Sequence, residues 1–185
     1  MVAFLFLGAA AQGQPLSFGI RAGVPLTDAY ASSTILSNGS IQAFSQSTGY
    51  AIGPMAELHL PLGLSIEVDA LYRPLEVSSA SIGPVTLSVA QNVSSWEFPI
   101  VGKYRFLHLP VVKPYLETGP SFRHVGASYF SNTGFILGIG VEIKLGRLRI
   151  EPDIRYDRWG ADAQTALTHL PTQENQAEFL LGIAF

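Results

Sequence analysis

Cysteine is absent from this chain of 185 residues, which removes disulfides, thiolate metal sites and a cysteine nucleophile at once. Charge is scarce: Asp, Glu, Lys and Arg make up 14% of the residues, where a typical soluble domain carries roughly 25%. There is no basic excess either, with 11 Lys+Arg against 14 Asp+Glu and a formal net charge of −3, so no nucleic-acid partner is expected. Long apolar runs are also missing. The longest is Met1–Ala11, and a membrane-spanning helix needs about 18 to 20 apolar residues. Yet the composition is 48% hydrophobic with a mean hydropathy of +0.28, enough to build a core and too much for disorder. The chain is hydrophobic, without a segment that can cross a bilayer as a helix.

The first residues stand apart. Val2–Ala11 is apolar and passes into Gly8-Ala9-Ala10-Ala11 and then Gln12-Gly13-Gln14-Pro15, the pattern of a secretory signal peptide cleaved after Ala11 or Gly13. A basic leading region is lacking. We expect residues 1–14 to be a signal peptide and 15–185 a single domain.

From Leu16 onward the hydrophobic period is two. Successive strand side chains point to opposite faces, and eight segments sort this way. Leu16, Phe18, Ile20, Ala22, Val24 and Leu26 alternate with Ser17, Gly19, Arg21 and Gly23. Later segments set Tyr50–Leu60 against Glu57 and His59, and Leu64–Tyr72 against Glu67, Asp69 and Arg73. The fourth sets Trp96–Phe106 against Glu97, Lys103 and Arg105, and the fifth sets Leu116 and Phe122 against Glu117 and Arg123. Phe135–Leu145 opposes Glu142 and Lys144; Leu148–Tyr156 opposes Arg149, Glu151, Asp153, Arg155 and Asp157; Ala177–Phe185 opposes Glu178. Each runs about 10 to 13 residues, close to the 9–11 that cross a bilayer as a tilted strand. The connections alternate between long (about 28–48, 76–93, 124–133 and 158–175) and short (61–63, 107–112 and 146–147), as in outer-membrane barrels. An even strand number leaves both ends of the domain on the short-turn side. The long connections are rich in Ser, Thr, Asn and Gly and are expected to be mobile.

Alternation alone does not distinguish a membrane barrel from a soluble, lipocalin-like one that binds an apolar ligand. Volume does. The interior of an eight-stranded barrel is just wide enough for side chains to fill, and it has no room for Phe, Leu, Ile, Tyr and Trp at nearly every apolar position. The opposite face offers Gly19, Gly23, Gly49, Gly53, Gly102, Gly119, Gly138, Gly140 and Gly182. The apolar face is therefore expected to face lipid. The lumen would then hold a charge network of Arg21, Glu57, Glu67, Asp69, Arg73, Glu97, Lys103, Arg105, Glu117, Arg123, Glu142, Arg149, Glu151, Arg155 and Glu178, with Asp153 and Lys144. Buried charges are tolerated when paired and hydrogen-bonded, so cross-strand ion pairs should plug the barrel. Tyr72, Tyr156 and Trp159, and at the other end Phe18, Phe106 and Phe185, fall where interfacial girdles should lie. Pro54, Pro120 and Pro152 sit on the apolar face, where bulges or weakened pairing should follow because a closed barrel has no free edge.

Four motifs, in order, resemble the small porin-like outer-membrane β-barrel proteins of Gram-negative-type bacteria, eight-stranded barrels of the OmpA/OmpX type. They are Trp96-Glu97-Phe98-Pro99-Ile100-Val101-Gly102-Lys103-Tyr104-Arg105-Phe106, Lys113-Pro114-Tyr115-Leu116-Glu117-Thr118-Gly119-Pro120-Ser121, Arg155-Tyr156 with Trp159-Gly160, and the terminal Gly182-Ile183-Ala184-Phe185. The resemblance implies an all-β, eight-stranded antiparallel up-and-down transmembrane barrel in the cell outer membrane, surrounded by outer-membrane lipid. It also implies that Gly182, Ile183 and Phe185 form the signal read by the barrel-assembly machinery.

The expected role is non-enzymatic, structural or adhesive through the long connections, without a cofactor. The alternative is a small outer-membrane enzyme acting on lipid A or protein, with His124 near Asp157 and Asp162 at the rim. His59, His108 and His169 show no metal-ligand spacing, and Asp28, Glu76 and Asp162 are scattered carboxylates of the kind that are usually solvated. Phosphate-binding glycine motifs, zinc signatures and nucleophile elbows are absent.

Overall fold

The computed structural model describes residues 15–27, 33–35, 41–46, 49–80, 89–107, 109–125, 133–160 and 174–185; the expected signal peptide, Asp28, His108, Asp162 and His169 lie outside them. Eleven strands follow in chain order: β1 (Leu16–Pro25), β2 (Ser33–Ile35), β3 (Ile41–Gln46), β4 (Ala51–His59), β5 (Leu64–Asp69), β6 (Leu71–Ala80), β7 (Val89–Arg105), β8 (Val112–Val125), β9 (Thr133–Leu145), β10 (Leu148–Trp159) and β11 (Asn175–Ala184). Every pairing is antiparallel, and β1 pairs with both β4 and β11, so the sheet closes on itself. With β5 and β6 counted as one interrupted stave, the wall has eight staves: a closed eight-stranded antiparallel barrel. Closure satisfies the backbone of the first and last strands, which is what an all-β structure needs to enter lipid. The closing seam runs to the final residue, where Phe18 and Phe185 exchange backbone hydrogen bonds of 3.3 and 3.0 Å.

The short connections are tight for local reasons. Gly146 adopts φ +66° in the two-residue turn between β9 and β10, a conformation glycine enters without a Cβ penalty. At the Pro61–Gly63 turn, Gly63 has φ 77° and Leu62 has φ 66°.

The core is inverted relative to a soluble protein. Ile20, Leu137 and Ile139 are 59%, 54% and 55% exposed, while Arg21, Glu57, Glu67, Glu151 and Arg155 are fully buried. The alternation holds through all eight staves, with three corrections. Trp159 points inward and is buried, because it shares the odd parity of Arg149–Asp157; it does not belong to the girdle. Gly102 points outward, in step with Phe98, Ile100 and Tyr104, where it helps form a shallow groove with Leu116 and Thr118. Lys144 has lumen parity, but β9 ends one residue later, so its side chain is exposed at the turn-side mouth.

The prolines weaken pairing without shifting register. Pairing between β9 and β10 skips Glu151 and Pro152 and resumes unchanged at Asp153↔Gly140. Between β7 and β8 it skips the positions of Gly119 and Pro120, and between β5/β6 and β7 it skips those of Pro99 and Phe98. Pro54 faces Ala70, the break between β5 and β6, and only the Ala70 N–H to Pro54 carbonyl bond of 3.0 Å survives there. A proline has no N–H for the ladder, and the missing bonds are local, so no bulge is needed.

The segments read as long loops are partly strand. β6 and β7 stay paired to Ser79↔Val89, and β3 adds to β6 through Gln42↔Ala80 to Gln46↔Glu76. This sheet continues the β6–β7 ladder beyond the eight staves, over residues that lack the sustained apolar alternation of the staves.

Candidate functional site: the charged lumen

Ten carboxylates and seven cations are buried in the described residues, and strand direction arranges them in tiers. Nearest the short turns, Glu57 of β4 accepts from Arg105 Nη2 at 2.6 Å and Arg149 Nη1 at 3.0 Å, and Ser65 Oγ donates to it at 2.5 Å. Glu142 accepts from Arg105 Nε at 2.6 Å. Arg149 also donates to Ser17 Oγ and approaches His59 Nε2 at 2.7 Å, which requires that nitrogen to act as acceptor.

The middle tier is the densest. Arg155 of β10 reaches Glu117 Oε1 at 2.6 Å on β8, and Asp69 and Glu67 at 2.7 and 2.9 Å on β5. Arg21 of β1 contacts Glu67 at 2.7 Å and pairs closely with Asp153. Lys103 of β7 donates to Glu67 at 2.6 Å and Glu151 at 2.8 Å. Three cations thus tie five carboxylates from β5, β8 and β10 across the lumen, which fixes opposite walls at a set separation. Glu57, Glu67 and Glu151 place carboxylate oxygens within 4.8 Å of one another, a geometry that could hold a metal ion. Here Lys103, Arg105, Arg149 and Arg21 already supply the cations.

An apolar layer follows. Leu71 lies between Asp69 and Arg73, Val101 between Glu97 and Lys103, and Leu180 between Glu178 and Gly182; with Ile136 they are fully buried. Gly119 belongs to this layer and lets β8 approach β7: a Cβ there would sit 2.0 Å from the Ile100 carbonyl oxygen. Beyond it is the loop-side tier. Arg73 contacts Glu97 at 3.3 Å and pairs closely with Glu178. Arg123 contacts Glu97 at 3.0 Å and Gln176 at 3.0 Å, and lies 3.6 Å from the Trp159 ring centroid. Among the described residues no ion pair crosses the apolar layer.

All fifteen lumen positions named from the sequence, with Asp153, are buried on the inner face. Three residues outside the named charge network contribute to it. Tyr115 donates to Asp153 at 3.1 Å and carries Lys103 over its ring at 4.7 Å; Asp157 and Trp159 complete the loop-side tier. Parity places Tyr115 and Asp157 inward with Glu117 and Arg155, and applied to Trp159 it would have done the same. The rim pair does not assemble: Asp157 is buried inside and His124 is exposed outside, opposite Trp96 on the next strand. Neighbouring odd and even positions put them on opposite sides of the wall. At the C-terminus, Gly182 faces the lumen while Ile183 and Phe185 are exposed on the outer face.

No protein-family model matches the chain, and no curated protein does. Solved structures do. The outer membrane protein OprG from Pseudomonas aeruginosa superposes with a TM-score of 0.57 at 12% identity, covering 91% of this chain and 92% of its own. Neisserial surface protein A (NspA) superposes with a TM-score of 0.56 at 16% identity, covering 94% of this chain and 97% of its own. At such identities the likeness is one of fold: this chain has the fold of the small eight-stranded outer-membrane barrels.

Proposed function

We propose that the chain is an outer-membrane barrel with a lumen closed by ion pairs, non-enzymatic, and acting as a structural or surface-interaction element through its loop-side connections. The observation that carries this reading is the pairing of an apolar outer wall with seven buried cations linking carboxylates across the interior. An eight-stranded interior filled with side chains leaves no aqueous channel, so general diffusion is not its task. Against a rim enzyme stands the separation of His124 from Asp157 on opposite faces of the wall. Against a soluble ligand binder stands the exposure of Ile20, Leu137 and Ile139, which no soluble surface would present together.

The test is reconstitution. Refolded in lipid, the full chain should show heat-modifiable gel migration and no unitary conductance in planar bilayers; stable conductance steps would overturn the plugged lumen. Ile139→Arg should cost about 2–4 kcal/mol near the bilayer midplane, measured by denaturant unfolding in vesicles. In cells the protein should fractionate with outer membranes. Processing of residues 1–14 is tested by sequencing the mature N-terminus, and recognition by the assembly machinery by deleting Phe185, which should leave unfolded precursor.

A further inference from the structure

Of the four cations not buried in the lumen, three cluster at one end, and the fourth, Arg158, lies at the other end of β10. At the short-turn end, Lys113, Lys144 and Arg147 join Arg105 and Arg149 around two carboxylates, Glu57 and Glu142. Glu142 is already shared by Arg105 at 2.6 Å, Lys113 at 3.3 Å and Arg149 at 3.8 Å. Lys144 lies directly across the ladder from Arg149, and like charges in that position are destabilising. Arg149 turns inward to Glu57, while Lys144 and Arg147 are exposed and have no ion-pair partner among the described residues. The remaining carboxylates, Asp28, Glu76, Asp162 and Glu174, all fall in the sequence stretches read as long connections.

The uncompensated cations sit at the boundary of the apolar wall. Val111, Val112, Leu145 and Leu148, their immediate neighbours on the same strands, are all exposed as part of the outer apolar band. Long basic side chains at that level keep their stems on apolar surface and their charge in the headgroup layer.

We propose that the turn-side rim formed by Lys113, Lys144 and Arg147 binds the phosphate headgroups of anionic phospholipids in the leaflet at that end. The inference rests on the membrane-barrel reading. Adjacent cations near an anionic lipid surface each strengthen attachment about fivefold, and a phosphate supplies the partner that Lys144 and Arg147 lack among the described residues.

The test uses the full chain refolded into nanodiscs of mixed phosphatidylcholine and phosphatidylglycerol, with retained lipids counted by native mass spectrometry. The wild type should keep phosphatidylglycerol in preference to phosphatidylcholine. The variant Lys113→Gln/Lys144→Gln/Arg147→Gln should lose that preference, by about fivefold per cation, and Arg158→Gln at the other end should keep it. Heat-modifiable migration reports that each variant has folded. A folded wild type with no preference, as expected if an acidic protein were the true occupant, would overturn the proposal, and so would a triple variant that retains it. A chain that fails to enter nanodiscs at all would overturn this inference and the membrane-barrel reading together.

Discussion

The two halves of the lumen solve the same problem differently. Below the apolar layer, each of Arg21, Lys103 and Arg155 is held by two or more carboxylates from different strands, and those strands lie on opposite walls. Above it, Arg73 is likewise held between Glu97 and Glu178, whereas Arg123 shares Glu97 and spends one face of its guanidinium on the Trp159 ring. The lower half is a cross-brace in which removing any cation strands several carboxylates at once. The upper half is a cap, in which Arg123 meets Glu97 and rests on the Trp159 ring; polar atoms without a protein partner occur in both halves, Arg21 Nε, Asp69 Oδ1, Glu151 Oε1 and Asp153 Oδ1 below and Arg73 Nε, Ser95 Oγ and Trp159 Nε1 above. Buried charge therefore rigidifies where it is multiply bridged and merely fills space where it is not.

The comparison breaks most sharply at Arg155. Arg155→Ala leaves Glu67, Asp69 and Glu117 short of a cation and should cost about 3–5 kcal/mol, read from urea unfolding in detergent or vesicles; a loss no larger than that of Arg123→Ala would erase the distinction between the halves. The apolar layer comes next. Leu180→Ala opens a cavity between the tiers and should cost about 2–3 kcal/mol, with faster amide exchange in β11 as an independent readout. Arg123→Ala removes the Glu97 ion pair, the Gln176 hydrogen bond and the Trp159 ring contact, and a loss of about 1–2 kcal/mol is expected. Trp159→Phe should be smallest, within about 0.5 kcal/mol, because the indole N–H it removes has no bond to lose. A large effect there would mean that the cap is held as tightly as the brace.

Most of the architecture was legible in the chain because a barrel wall writes itself as parity. Leu16–Leu26 and Phe135–Leu145 need only a period of two to divide lipid from lumen, and the short turn at Gly146 ends a stave in two residues. The same parity, applied without regard to residue type, would have turned Trp159 inward and Gly102 outward. Chemical expectation overrode it: Trp was assigned to a girdle and Gly to a crowded interior. The strands β2 and β3 were not legible, since their three and six residues are too short and too polar to show the sustained apolar alternation of a stave. The rim pair failed for the reason the lumen succeeded. His124 and Asp157 are near in level but opposite in parity.

By itself the sequence determined the number of staves, their direction and which face carries charge, because each follows from local periodicity and from how long a strand must be to cross lipid. It also determined that cations and carboxylates in near balance would meet inside; the structure buries seven and ten of them, with Lys144 left at the turn-side mouth. Which cation meets which carboxylate was decided only by closure. The stagger of β1 against β11 and β4 sets the height of Arg21 opposite Asp153 and Glu67, and contacts 132 and 46 residues apart in the chain have no local signature. The apolar side chains between brace and cap arise the same way, when separate strands bury Leu71, Val101, Ile136 and Leu180 inside one wall.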